Sequence, residues 1–171
     1  MGKCLFMRKG QKHTAPVKPN TQFYIEGNEC VSTTGGWEAI GLGINATYNK
    51  AVAPSITKSA SKMILKQTQV YGYDCGVVKT VKKIPLKKAN KVYFDIEAAN
   101  EGSAIIGCVI LRDIGNTVED SSVKNLDVSA YAVETVSGVF SVDVSTVADS
   151  CYIGVSMYQG STVIVKRIWA E

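Results

Sequence analysis

The stretch Lys91-Val-Tyr-Phe-Asp-Ile-Glu-Ala98 alternates without a break. Val92, Phe94, Ile96 and Ala98 fall on one side, and Tyr93, Asp95 and Glu97 on the other. A period of two is the signature of a strand with one face on a core and one toward water. The next run, Ala104-Ile-Ile-Gly-Cys-Val-Ile-Leu111, is apolar throughout. Its length suits a strand covered on both faces and is too short for a helix to cross a bilayer.

The same signal recurs outward in both directions. Thr21–Glu26, Trp37–Leu42, Ser61–Val70 and Gly76–Ile84 read as strands before it. After it come 130–136 and 138–144, separated by a turn signal at Ser137-Gly138. Then follow 151–158, with Cys151, Ile153, Val155 and Met157 on one face, and Thr162–Trp169, with a turn at Gln159-Gly-Ser161. No segment carries a 3.6-residue apolar stripe, and no fixed-period repeat appears. Short, evenly spaced strands with Gly-rich turns predict an all-β fold, a two-sheet antiparallel β-sandwich of the jelly-roll type over residues 21–171. The predicted core is Val92, Phe94, Ile96, Cys108, Ile110, Ile153, Val155, Val163 and Val165, and Trp37 and Trp169 are assigned to packing.

Composition agrees with a globular domain: 46% apolar and 20% charged among 171 residues, enough for a core without staples. The cysteines, Cys4, Cys30, Cys75, Cys108 and Cys151, are odd in number and form no CxxC pair, so they read as reduced thiols rather than zinc ligands. Charge is segregated: fifteen Lys/Arg against four Asp/Glu in 1–91, and four against eleven in 92–171. The lysines are spread over many strands without interleaved aromatics, which disfavours nucleic-acid binding. Opposite charges meeting within the fold or between subunits explain the pattern better. The apolar stretch near the N-terminus is too short for a secretory signal, so no membrane insertion is expected.

The residues point to no catalytic, cofactor or metal site. The one histidine, His13, lies outside the patterned region, where a triad could not be held rigid. The carboxylates Asp95 and Glu97 face solvent on a strand, and Glu119-Asp120 lie in a loop, so neither pair suits glycoside hydrolysis. Asn116, Glu119 and Asp120 fall short of a calcium loop, and Gly41-Leu-Gly43 is no phosphate cradle. Jelly-roll modules often stack an aromatic ring on a sugar. The candidates for such a glycan or partner surface are Tyr48 (with Asn45 and Asn49), Tyr71, Tyr73 and Tyr158.

Residues 1–20 differ from the rest. They are basic, contain Pro16 and Pro19 and lack alternation, so they read as an extended arm. Apolar Leu5, Phe6 and Met7 beside Arg8, Lys9, Lys12 and His13 make it a candidate assembly arm, since an exposed apolar tip wants a partner.

Several stretches resemble proteins of the tail-fibre and baseplate region of phages and prophages of Gram-positive gut bacteria. These are Cys4-Leu-Phe-Met-Arg-Lys-Gly10 with His13-Thr-Ala-Pro16, and Gly27-Asn-Glu-Cys-Val-Ser-Thr-Thr-Gly-Gly-Trp37. Ile84–Glu97, Ser141–Val147 and Ile164–Glu171 are similar to the middle and close of the same module. The resemblance implies a jelly roll like carbohydrate-binding modules. It also implies a virion structural protein (tail, baseplate, fibre or head decoration) whose partners are other virion proteins and copies of itself. Its locations would be the virion and, during assembly, the host cytoplasm. The alternative is a glycan-binding receptor-recognition module of the virion contacting host surface glycan. A cell-wall hydrolase is the least favoured reading.

Overall fold

The computed structural model describes residues 23–26, 34–59, 62–68, 74–100, 105–130 and 135–171. Strands β1 (Phe23–Glu26), β2 (Trp37–Gly41), β3 (Lys50–Ala51), β4 (Ser55–Lys58), β5 (Met63–Lys66), β6 (Asp74–Thr80) and β7 (Ile84–Pro85) come first. They are followed by β8 (Lys91–Asn100), β9 (Ile105–Leu111), the helical turn α1 (Val118–Ser121), β10 (Ser122–Ala130), β11 (Thr135–Asp143), β12 (Ser150–Tyr158) and β13 (Ser161–Ala170).

These strands form two sheets packed face to face, the sandwich that the alternation predicts. The first sheet runs β11-β8-β13-β5-β4, with β1 also on β13; the second runs β10-β9-β12-β6-β2, with β3 on β6 and β7 on β12. Every pairing is antiparallel except β3 with β6. From β8 onward the chain passes between sheets at β8–β9, β10–β11, β11–β12 and β12–β13, as a jelly roll does.

All nine predicted core residues are fully buried in one cluster between the sheets, with Met63, Leu65, Val78, Ile106, Met157 and Ile168 beside them. Trp37 joins this cluster, as expected. The turn at 159–161 is present, and Gly160 takes a left-handed φ of 61° that glycine adopts at little cost.

Three readings need correction. Ser137-Gly138 is no turn: both lie inside β11, opposite Glu97 and Ile96. The strand expected over 130–136 divides between two sheets: position 130 ends β10, whose alternation is broken by register shifts at Ser122/Lys124 and Asp127/Ser129, and 135–136 open β11. Glu119 and Asp120 sit in a helical turn, not a loop, whose N-cap Thr117 accepts a hydrogen bond from the Asp120 amide at 3.1 Å.

A second apolar cluster lies on the outer face of the second sheet. It gathers Leu42, Ile44, Cys75, Val77, Ile105, Val109, Leu111, Val118 and Tyr158. The loop after β2 and the turn α1 roof it together: the Val118 amide donates to the Gly43 carbonyl at 2.7 Å and the Glu119 amide to that of Ile44 at 3.0 Å. Among the described residues the outer face of the first sheet has no such roof. Ser55, Thr57, Lys66, Thr135 and Ser137 stand exposed on it.

Two outcomes follow from the core. Phe94 is fully buried between the sheets, so Phe94→Ala should cost about 3–5 kcal/mol in denaturant unfolding; a loss below about 1 kcal/mol would contradict the packing. Cys75, Cys108 and Cys151 are buried and form no disulfide among the described residues. Burial raises each thiol, that of Cys75 to about 11. Native alkylation near neutral pH should leave these three unmodified, whereas unreduced, denatured protein should take five adducts. Fewer than five would reveal a disulfide.

Candidate functional site

Strand β13 runs through the outer face that no described loop roofs. Its Val163 and Val165 point inward, opposite Ala98 and Ile96 of β8. Unbroken alternation would carry Arg167 and Trp169 inward as well. Instead the register shifts by one residue between Val165 and Arg167, so Lys166 is the extra residue of a β-bulge. Beyond it Ile168 and Ala170 take the inner face, opposite Phe94 and Val92, while Arg167 and Trp169 take the outer face, opposite Asp95 and Tyr93. On its other edge β13 pairs with β5 up to Val165 and with β1 from Arg167 onward.

Two rows result, side by side. The aromatic row holds Tyr93 and Trp169, stacked with centroids 5.0 Å apart and planes 10° from parallel. The register places Ser141 next to Tyr93 and position 24, a tyrosine, next to Trp169. The Trp169 indole N–H donates to Glu171 Oε1 at 3.3 Å.

The charged row holds Asp95 and Arg167. Arg167 Nε donates to Asp95 Oδ2 at 3.0 Å, and Nη2 donates to the same oxygen. Asp95 is 2% exposed, and its other oxygen, Oδ1, is fully buried and has no hydrogen-bond partner among the described residues. The guanidinium carbon lies 5.7 Å from the Trp169 ring, within cation–π range. Lys166, set out by the bulge, donates to Glu97 Oε2 at 3.1 Å. Each cation therefore stands against a carboxylate, and the row is close to neutral. Such a face can offer the half-buried Tyr93 ring beside two paired cations; no nucleophile–base pair is part of it.

The expected candidates fare differently. Tyr158 is 4% exposed and meets half-buried Tyr48, rings 5.0 Å apart and tilted by 52°. This pair closes the second apolar cluster instead of presenting rings on a surface. Asn45 and Asn49 are occupied within the loop: Asn45 Oδ1 accepts from the Thr47 and Tyr48 amides at 2.9 Å, and Asn49 Nδ2 donates to the Ala46 carbonyl at 3.1 Å. Tyr71, Tyr73 and the arm residues Leu5, Phe6, Met7, Arg8, Lys9, Lys12 and His13 lie outside the described residues. Asp95, expected in solvent, is buried under its own ion pair. Trp169 is buried as expected, but against the outer face and not between the sheets. The signal for the site was Lys166-Arg167, two adjacent charges interrupting an alternating strand. Of the ion pairs between described residues, Lys83–Asp113 at 2.6 Å joins the basic and acidic halves of the chain. Among the described residues no group of three or more His, Cys, Asp or Glu converges, and no helix is long and apolar enough to cross a membrane.

No protein-family profile and no curated protein matches the chain. Solved structures resemble it at low identity. The xylan-binding module CBM86 of Roseburia intestinalis is 11% identical, with 69% of this chain and 83% of that one covered and a TM-score of 0.41. A family 29 carbohydrate-binding module of Piromyces equi is 10% identical, with 78% and 85% covered and a TM-score of 0.36. The cleaved adhesin domain of Lys-gingipain from Porphyromonas gingivalis is 10% identical, with 87% and 96% covered and a TM-score of 0.49.

The two classes of ion pair predict different costs. Asp95→Ala removes the buried carboxylate to which Arg167, 16% exposed, donates twice. It should cost roughly 3–5 kcal/mol. Asp113→Ala removes a pair whose members are 34% and 74% exposed, and should leave stability nearly unchanged. Equal losses in urea unfolding would contradict the burial of Asp95.

Proposed function

We propose that this chain is a non-catalytic glycan-binding module that lays a neutral oligosaccharide across the outer face of the first sheet. One observation carries the reading: the stacked Tyr93–Trp169 row lies directly beside the Arg167–Asp95 row on a sheet face that no described loop crosses, with Tyr93 and Arg167 half-buried and Trp169 and Asp95 buried. A sugar ring has an apolar C–H face and a rim of hydroxyls. An aromatic ring suits the first, and a few fixed polar groups suit the second. Tyr93 gives one ring face to Trp169, while its neighbour across the strand on the other side is the small Ser141. It is thus the ring best placed for a sugar.

The pairing of charges selects the ligand class. Arg167 is held by Asp95 and Lys166 by Glu97. No free cation of this row is left to attract a uronate or sulfate, which favours uncharged sugars. The likeness of the sequence to phage tail-fibre and baseplate-region proteins supports a setting: surface recognition by a virion, with other virion proteins and copies of the chain as partners.

Titration calorimetry on neutral oligosaccharides chosen from a glycan array tests the reading. Tyr93→Ala should weaken binding at least about tenfold, roughly 1.4 kcal/mol, while Glu119→Gln, on the far side of the sandwich, should leave it unchanged. The reading fails if no neutral glycan binds at millimolar concentration, or if Tyr93→Ala binds as the parent does.

A further inference from the structure

The two sheets end in edge strands, and these are not alike. An unpaired edge presents a row of amides and carbonyls that can template another strand, and natural edges usually carry a guard. Strand β4 has four residues, preceded by Pro54 and ending in Lys58. Strand β10 is broken by two register shifts and carries Lys124 and Asp127. Strand β2 has five residues and holds Glu38, paired with Lys79.

Strand β11 has none of these. It runs for nine residues in unshifted register on β8, from Thr135 opposite Ala99 to Asp143 opposite Lys91. It contains no Lys, Arg or Pro, and its single charge is its last residue. Among the described residues no strand pairs with its far edge. Val136, Val139 and Phe140 are only half-buried along it.

The strand is also complementary to itself. An antiparallel two-fold pairing centred on Val139 sets Thr135 opposite Asp143, Val136 opposite Val142, Ser137 opposite Ser141 and Gly138 opposite Phe140. No like charges face each other, apolar meets apolar, and hydroxyl meets hydroxyl. The pair Gly138–Phe140 is the most telling. A Cβ built on Gly138 would meet nothing within 4 Å, so the space beside it is open. A half-buried aromatic ring directly across an edge glycine fills such a space and covers the bare backbone.

We infer that β11 is a self-association edge, and that a second copy of this chain pairs with it antiparallel about Val139. The pairing joins two six-stranded sheets into one. It leaves both outer faces on the same side, though it does not depend on what those faces bind.

Sedimentation equilibrium of the full chain, from about 1 to about 100 µM, tests it. The parent should be a dimer over the upper part of that range. Ser137→Lys with Ser141→Lys, both on the outer face, sets Lys opposite Lys twice and should give a monomer with unchanged circular dichroism. Ser137→Lys with Ser141→Glu sets Lys opposite Glu in the same register and should restore the dimer. A parent that stays monomeric at about 100 µM, a double-Lys variant that still dimerises, or a Lys/Glu variant that does not would each overturn the inference.

Discussion

One inserted residue in β13 organises both faces of the first sheet. Side chains along a strand alternate, so a single extra residue exchanges inside for outside over everything that follows. At Lys166 that exchange comes where it is needed. Without it the Arg167 guanidinium would enter the space between the sheets, at a cost of several kcal/mol for an unpaired buried charge. Ile168 would leave Phe94 and face water. With it Ile168 and Ala170 continue the core below, and Arg167 and Trp169 meet Asp95 and Tyr93 above. The bulge also marks the point where the neighbour of β13 changes from β5 to β1. Core continuity, the ion pair and the aromatic stack share one cause.

The same feature explains what could be read from the sequence. The inner face was legible because its rule is simple: Val92, Phe94, Ile96 and Ala98 keep strict period, and so do Cys151, Ile153, Val155 and Met157. The outer site was hidden because its residues come after a phase change that alternation alone does not announce. Trp169 reads as a continuation of Val163 and Val165. Strand β10 was missed for a related reason, since two register shifts scatter Val123, Leu126 and Val128 out of period. The dipeptide Ser137-Gly138 misled in the opposite direction. Its composition is that of a turn, but Gly138 has φ 158°, which is extended backbone. Glycine there supplies an absent side chain, not a left-handed bend.

The two outer faces were separated by loop chemistry that sequence shows poorly. The loop after β2 closes on itself through Asn45, and its Gly43 lets the chain pass close to Tyr48 and Asn49, where a Cβ would stand 2.6 Å from the Asn49 Cα. It then pins α1 by two backbone bonds. Tyr48 and Tyr158 become packing residues through this roof. A tyrosine flanked by asparagines looks like a sugar platform in one dimension. In three it is the lid of a small core. The first sheet keeps its platform because no described loop crosses it.

Recognition on such a face follows from what is already ordered before a ligand arrives. Tyr93 is held by Trp169, Arg167 by Asp95, and Lys166 by Glu97. Little side-chain freedom is left to lose on binding, which removes part of the usual entropic cost. The gain is small for the same reason: the charges are largely satisfied already, and an open sheet excludes less water than a cleft. A flat, preorganised and neutral face therefore leads to modest affinity per site. Affinity in that regime is raised most effectively by repetition, because a second site held close by acts at high effective concentration. An edge strand whose pairing puts two such faces on one side would do that without altering a single contact to the sugar.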